Sequence, residues 1–178
     1  MSDYCLVNVN LREKIDEYQD FPKKGILFRD ITPILRDPSA LSYVIDEFAR
    51  LYHPKEVDIL AGIESRGFPL ACALAIKYNK GMIMIRKQGK LPGQTKKMSY
   101  SIEYGKATME IQKHAIEKGQ RVLICDDLLA TGGTAKTAAK LIEKIGGKVA
   151  GFAFLVELTN LNGMKKISNY KCESLVKY

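Results

Sequence analysis

The 178-residue chain reads as an α/β protein, a mostly parallel sheet flanked by helices. Three observations predict this. Short, almost wholly apolar runs at Val57–Ile63, Met82–Arg86 and Lys148–Leu158 have the length and composition of strands buried on both faces. Segments with helical spacing of apolar residues lie between them. Turn residues such as Gly119-Gln120 and Gly146-Gly147 fall at the joints. Strands alternating with helices of this length imply parallel pairing, with helices on both faces.

Each element follows from local chemistry. Asp37-Pro38 opens a helix, since Asp caps and Pro suits the first turn. Leu41, Val44, Ile45, Phe48, Leu51 and Tyr52 then recur on one face. Val57–Ile63, "VDILAGI", is the first buried strand and Phe68–Tyr78 the next helix. Met82–Arg86 is the second strand. Gly119-Gln120 turns into Arg121–Cys125, the third, which ends at Asp126-Asp127. Thr134–Ile145 is a helix closed by Gly146-Gly147, and Lys148–Leu158 is the fourth strand. Lys87–Thr108 breaks the rhythm with Gly89, Pro92, Gly93 and Gly105. An insertion of that kind reads as a mobile flap with a hairpin tendency at Ser99–Tyr104. Residues 1–178 form a single domain, without repeats or linkers.

Composition narrows the function classes. Apolar content of 46% excludes a disordered chain. Runs such as Val149–Val156 are too short to span a membrane. The opening "MSDYCLVNVNLREKIDEY" lacks signal-peptide features, so a soluble, cytoplasmic protein is expected. Cys5, Cys72, Cys125 and Cys172 are scattered without metal-ligand spacing. Cys72 and Cys125 sit in apolar stretches and are expected to be buried, inert thiols. The net charge of +8 admits nucleic acid, anionic membrane or acidic small ligands as partners. Arg86, Lys87, Lys90, Lys96, Lys97 and Lys106 crowd one segment with only Glu103 against them, which favours a local anion site.

The stretch "LICDDLLATGGTAKTA" carries the chemistry. In open α/β sheets, ligands bind beyond the carboxyl ends of strands. Leu128–Thr134 forms the turn into a helix, whose first N–H groups receive phosphate. Gly132 and Gly133 clear space for an anion, and Thr131 and Thr134 add hydroxyls. The spacing is neither a Walker A loop nor a dinucleotide fingerprint. Two aspartates would repel a bare phosphate. They make sense if the ligand places hydroxyls between them and its phosphate, as a ribose 5-phosphate would. The plain alternative is a capped turn beside an ordinary loop. "GIESRGF", also after a buried strand, offers Arg66 as a bidentate phosphate donor, or else an Arg66–Glu64 surface pair. With Lys87 and Lys90 nearby, a ligand bearing phosphate at both ends is suggested.

These residues resemble the type I phosphoribosyltransferases. "VLICDDLLATGGT" looks like their phosphoribosyl-diphosphate signature, and its Leu-Leu-Ala form is similar to the adenine-specific members. "DFPKKGILFRDITPIL", "ESRGF", "IRKQGKLPG", "SIEYGKATMEIQ" and "FLVELTNLNG" agree in order, so the likeness runs from about Asp20 to Tyr178.

The resemblance implies transfer of the ribosyl phosphate of 5-phosphoribosyl 1-diphosphate to adenine, giving AMP and diphosphate, with Mg2+ as cofactor. It implies an N-terminal hood at about 1–36, a flap at about 87–108, and a homodimer with neither nucleic acid nor membrane as partner. On the sugar diphosphate it places Asp126 and Asp127 at the hydroxyls, with Mg2+ held mainly through substrate near them. Ala130, Thr131, Gly132, Gly133 and Thr134 fall at the 5-phosphate. Ser65, Arg66, Lys87 and Lys90 fall at the diphosphate, and the peptide before Ser65 is expected to be cis. Glu103 is the implied proton carrier at the purine. Leu27, Phe28 and Arg29 of the hood, with Leu128, form the implied adenine site. Lys23-Lys24 and "TKKM" at Thr95–Met98 are more basic than the family pattern. A purine-responsive regulator on the same fold, and an enzyme for another base, stay open as alternatives.

Overall fold

A computed structural model describes residues 9–102 and 105–178, the side chains of 101, 102 and 105 excepted. Among them the chain forms a two-stranded hairpin and a seven-stranded sheet. The hairpin pairs β1 (Asp16–Gln19) antiparallel with β2 (Leu27–Asp30). A short helix α1 (Thr32–Arg36) leads to α2 (Pro38–Leu51). As expected, Asp37 caps α2: its Oδ1 accepts the N–H groups of Ser39 at 2.9 Å and Ala40 at 3.1 Å.

Next come β3 (Ile59–Ile63), α3 (Gly67–Tyr78) and β4 (Gly81–Lys87), then β5 (Thr95–Ile102) and β6 (Gly105–Gln112). The chain continues through β7 (Arg121–Leu129), α4 (Gly133–Lys144), β8 (Lys148–Glu157) and β9 (Cys172–Lys177). The sheet order is β5-β6-β4-β3-β7-β8-β9. Strands β4, β3, β7, β8 and β9 run parallel, and β6 pairs antiparallel with β4 and β5.

Alternation along β7 explains the two cores. Leu123 and Cys125 face a cluster with Val44 and Phe48 of α2 and Leu70 and Leu74 of α3. Val122 and Ile124 face the other, with Ala138, Leu141 and Ile142 of α4. Both faces of the sheet are therefore covered, which is why its central strands read as unbroken apolar runs.

Three expectations are revised. The third strand does not stop at Cys125: β7 continues to Leu129, its partner β8 running alongside to Glu157, so the acid pair lies inside the strand. The basic insertion is less irregular than expected, because β5 and β6 pair in full register from Thr95–Gln112 to Ile102–Gly105 and extend the sheet. The segment after Lys165, for which the sequence named no element, supplies a further strand, β9. Cys72 is exposed, while Cys125 is buried. Cys72 lies on the outward face of α3 one turn before Ile76, itself 77% exposed. No described helix is long and apolar enough to cross a membrane.

Candidate active site

The carboxyl ends of β3, β4 and β7 lie side by side, because those strands are parallel neighbours. A cleft of about 390 Å³ opens there, lined by Phe28, Glu64, Ser65, Arg66, Lys87, Tyr100, Met109, Asp126, Asp127 and Thr134. A pocket of about 90 Å³ shares Asp126 and Thr134 with it and is walled by Leu128–Gly133.

The acid pair is the floor of the cleft. Asp126 and Asp127 are 9% and 6% exposed. Burial, then the neighbouring Asp127 charge, pushes the Asp126 carboxyl well above the usual carboxylate range. Burial also raises Asp127, against the pull of Arg66. Arg66 Nε lies 2.7 Å from Asp127 Oδ2, but that oxygen gains no well-aligned hydrogen bond. The Arg66 guanidinium also stands 4.7 Å from the centre of the Phe28 ring. The expected alternative, Arg66 paired with Glu64, does not occur. Glu64 instead accepts from Arg86 Nε at 3.2 Å, Arg86 Nη2 at 3.3 Å and the Lys87 N–H at 2.9 Å. The peptide between Glu64 and Ser65 is cis.

Helix α4 begins at Gly133, and its first N–H groups have no carbonyl within the helix to bond. Gly132 precedes it at φ 74°, a left-handed conformation suited to glycine. The loop is braced from outside. A Cβ added at Gly163, in a turn after β8, would stand 3.0 Å from Gly132 N and closer still to the Ala130 carbonyl. The arrangement offers partial positive charge at the loop, full charge at Arg66 and Lys87, and acceptors between them. That is the complement of a hydroxylated anion with charge at each end.

Of the residues expected from sequence, Phe28, Ser65, Arg66, Lys87, Asp126, Asp127 and Thr134 meet in the cleft. Leu128, Ala130, Thr131, Gly132 and Gly133 line the adjoining pocket. Leu27, Arg29 and Lys90 line neither. Arg29 is engaged by Glu17 at 3.4 Å and by the Tyr178 ring, 3.8 Å from its guanidinium carbon. Glu103 lies outside the described residues. Tyr100 and Met109 were not anticipated. The Tyr100 hydroxyl lies 3.1 Å from Thr134 Oγ1, joining the β5–β6 hairpin to the phosphate loop. Their signal was the alternation of the hairpin strands, masked by the lysines and glycines around them. Among the described residues no cluster of three His, Cys, Asp or Glu could enclose a metal ion. Two carboxylates beside an anion site fit Mg2+ that keeps substrate oxygens and water as its other ligands.

Comparison with known proteins sets first the class. The Phosphoribosyl transferase domain model matches residues 34–177. An adenine phosphoribosyltransferase of Nitrosopumilus maritimus is 73% identical over 96% of this chain and 100% of its own length. One from Cenarchaeum symbiosum is 56% identical over the same shares. The crystal structure of adenine phosphoribosyltransferase from Thermoanaerobacter pseudethanolicus superposes with a TM-score of 0.91 at 46% identity, covering 94% of this chain and 98% of that one. The chain belongs to the adenine phosphoribosyltransferase family.

Proposed function

We propose that the protein salvages adenine: adenine and 5-phosphoribosyl 1-diphosphate give AMP and diphosphate. The observation that carries this is the sharing of Asp126 and Thr134 between cleft and loop pocket, so that one ligand can span both. The 5-phosphate sits on the amides of Ala130–Thr134 at the start of α4. Asp126 and Asp127 accept hydrogen bonds from the ribose hydroxyls. Ser65, Arg66, Lys87 and Lys90 hold the diphosphate.

Charge then dictates the chemistry. As the anomeric carbon parts from diphosphate, positive charge grows on the ring and negative charge on the leaving group. Arg66 and Lys87 line the cleft where the departing anion would lie, with Lys90 on the loop just beyond β4, so little reorganisation is needed. The acid pair faces the ring, where negative charge favours its cationic character. Mg2+, lying near Asp126 and Asp127 and bound mainly through the substrate, would add charge neutralisation to the leaving group. Adenine attacks through N9, and Glu103 takes up the proton that the purine loses.

Base choice falls to the hood. Among the described residues strand β2 is paired on one side only, so alternate residues present N–H and C=O groups on its other edge. Leu27 and Arg29 supply backbone partners there. A C=O accepting from the exocyclic amine and an N–H donating to N1 would reject 6-oxopurines, which reverse both groups. Phe28 and Leu128 give apolar walls. The protein acts as a cytoplasmic homodimer, an assembly that sedimentation would check.

Purified protein with Mg2+ and 5-phosphoribosyl 1-diphosphate should convert adenine and not hypoxanthine or guanine. Equal turnover of hypoxanthine would remove the adenine assignment. Turnover of no base would point to a regulator on the same fold.

A further inference from the structure

The cations assigned to the diphosphate lie on separate loops, Ser65-Arg66 after β3 and Lys87–Leu91 at the end of β4. A run of charged contacts joins the two. At its far end is Glu110 of β6, only 1% exposed and unused by the mechanism above. It lies opposite Arg86 in the β4–β6 pairing and opposite Lys97 in the β5–β6 pairing. Its Oε1 accepts three successive N–H groups: Gly89 at 2.8 Å, Lys90 at 3.0 Å and Leu91 at 3.1 Å. Its Oε2 accepts from Thr95 Oγ1 at 3.1 Å.

Consecutive amides converge on one oxygen only where the backbone folds into a concave nest. Gly89, at φ 84°, provides that conformation, and a Cβ there would meet nothing within 4 Å. Burial works against the ionised Glu110, but the bonds from Leu91, Thr95, Lys90 and Gly89 outweigh it and hold its carboxyl below the usual range. Lys90 is gripped from its other side as well. Its C=O accepts from Arg86 Nη1 at 3.1 Å, and the same guanidinium donates to Glu64, one residue before Ser65. Glu110, Lys90, Arg86 and Glu64 thus form one unbroken line from the basic loop to the Ser65-Arg66 turn.

We propose that Glu110 is a positioning residue: by clamping the amides of Gly89–Leu91 it sets Lys87 and Lys90 at a fixed distance from Arg66, so that both loops grip one diphosphate. This rests on the reading of Lys90 as a diphosphate ligand. Glu110→Gln keeps the shape of the side chain and removes the charge that strengthens the three amide bonds.

Steady-state kinetics on wild type, Glu110→Gln, Lys90→Ala and the double variant test it. Glu110→Gln should raise the KM for 5-phosphoribosyl 1-diphosphate about tenfold. The KM for adenine should stay within about twofold, a split that general loosening of the fold would not give. The double variant should lose clearly less than the product of the single losses, because one residue acts through the other. Additive losses, or an unchanged sugar-diphosphate KM in Glu110→Gln, overturn the proposal alone. A silent Lys90→Ala removes the Lys90 assignment and the proposal together. Should Glu110→Gln fail to fold, Gly89→Ala disturbs the same nest from the exposed loop. It must then raise the sugar-diphosphate KM and spare that of adenine, or the proposal falls.

Discussion

Replacing Gly163 by alanine should damage sugar-diphosphate binding without replacing any residue assigned to a ligand. Gly163 lies in the turn after β8 and packs against the loop at Ala130–Gly132. Its own φ is outside the left-handed range, so alanine brings no backbone strain, and the effect is one of space alone. The added Cβ would stand 3.0 Å from Gly132 N, where ordinary contact begins at 3.4 Å. The loop must therefore retreat by at least 0.4 Å (3.4 − 3.0), and by more at the Ala130 carbonyl. A misplacement of about 1 Å in a binding constellation costs roughly 10²-fold in rate, so about 10-fold to 10²-fold in kcat/KM is expected here. Steady-state kinetics with each substrate varied in turn would read it. The loss should fall on 5-phosphoribosyl 1-diphosphate, with the KM for adenine unchanged, and the melting temperature should drop as well because the atoms in the way belong to the backbone. If Gly163→Ala keeps wild-type kcat/KM for the sugar diphosphate, the loop is not braced by this turn, and the reasoning from contact distances is wrong.

Asp126→Asn should trade activity for stability. The folded-state pKa of Asp126 is raised, so its stabilising contribution is present at acid pH and lost as pH rises through that value. Above the ordinary carboxylate range the ligand-free wild type must either keep a proton on Asp126 or hold a buried charge beside Asp127, and both cost stability. The asparagine variant should then be more stable by roughly 1–3 kcal/mol, with a higher melting temperature whose advantage shrinks as pH falls. Calorimetry showing a lower melting temperature at neutral pH would contradict this. Glu103→Gln should reduce kcat by about 10²–10⁴-fold with little change in sugar-diphosphate affinity; a wild-type rate would deny the acid any part in proton transfer. Arg66→Lys should raise the sugar-diphosphate KM at least tenfold, since an ammonium cannot reproduce the planar fork. A change within twofold would show that the guanidinium geometry is not used.

The central elements were legible because their signals are local. Apolar strands and the Asp37-Pro38 cap needed no tertiary context. Asp126 and Asp127 misled for a physical reason: adjacent charges normally end a buried strand, and here they are kept inside β7 by β8 running alongside to Glu157. Strand β9 carried little signal, since its one apolar pair, Leu175-Val176, lies among polar neighbours. The hood hairpin, with its Pro22 and Gly25 turn, was similarly obscured by charge. In the site, Arg66 and Thr131–Thr134 were indicated by their own loops, and Ser65 and Ala130 by the family resemblance. Tyr100, Met109 and Glu110 could not be found, because their roles arise only when β5 and β6 fold back beside β4.

Among the described residues the hood hairpin shares no ladder with the main sheet, and it is clipped to the body at its two ends by Ile15 and Ile31, 6% and 1% exposed. On the proposed reading, the hydrogen bonds that choose the nucleobase and the machinery of bond exchange occupy separable stretches of polypeptide. Residues 16–30 are then a natural cassette. A descendant gene could acquire a new taste in purines by rewriting that stretch, with the catalytic floor beneath inherited intact.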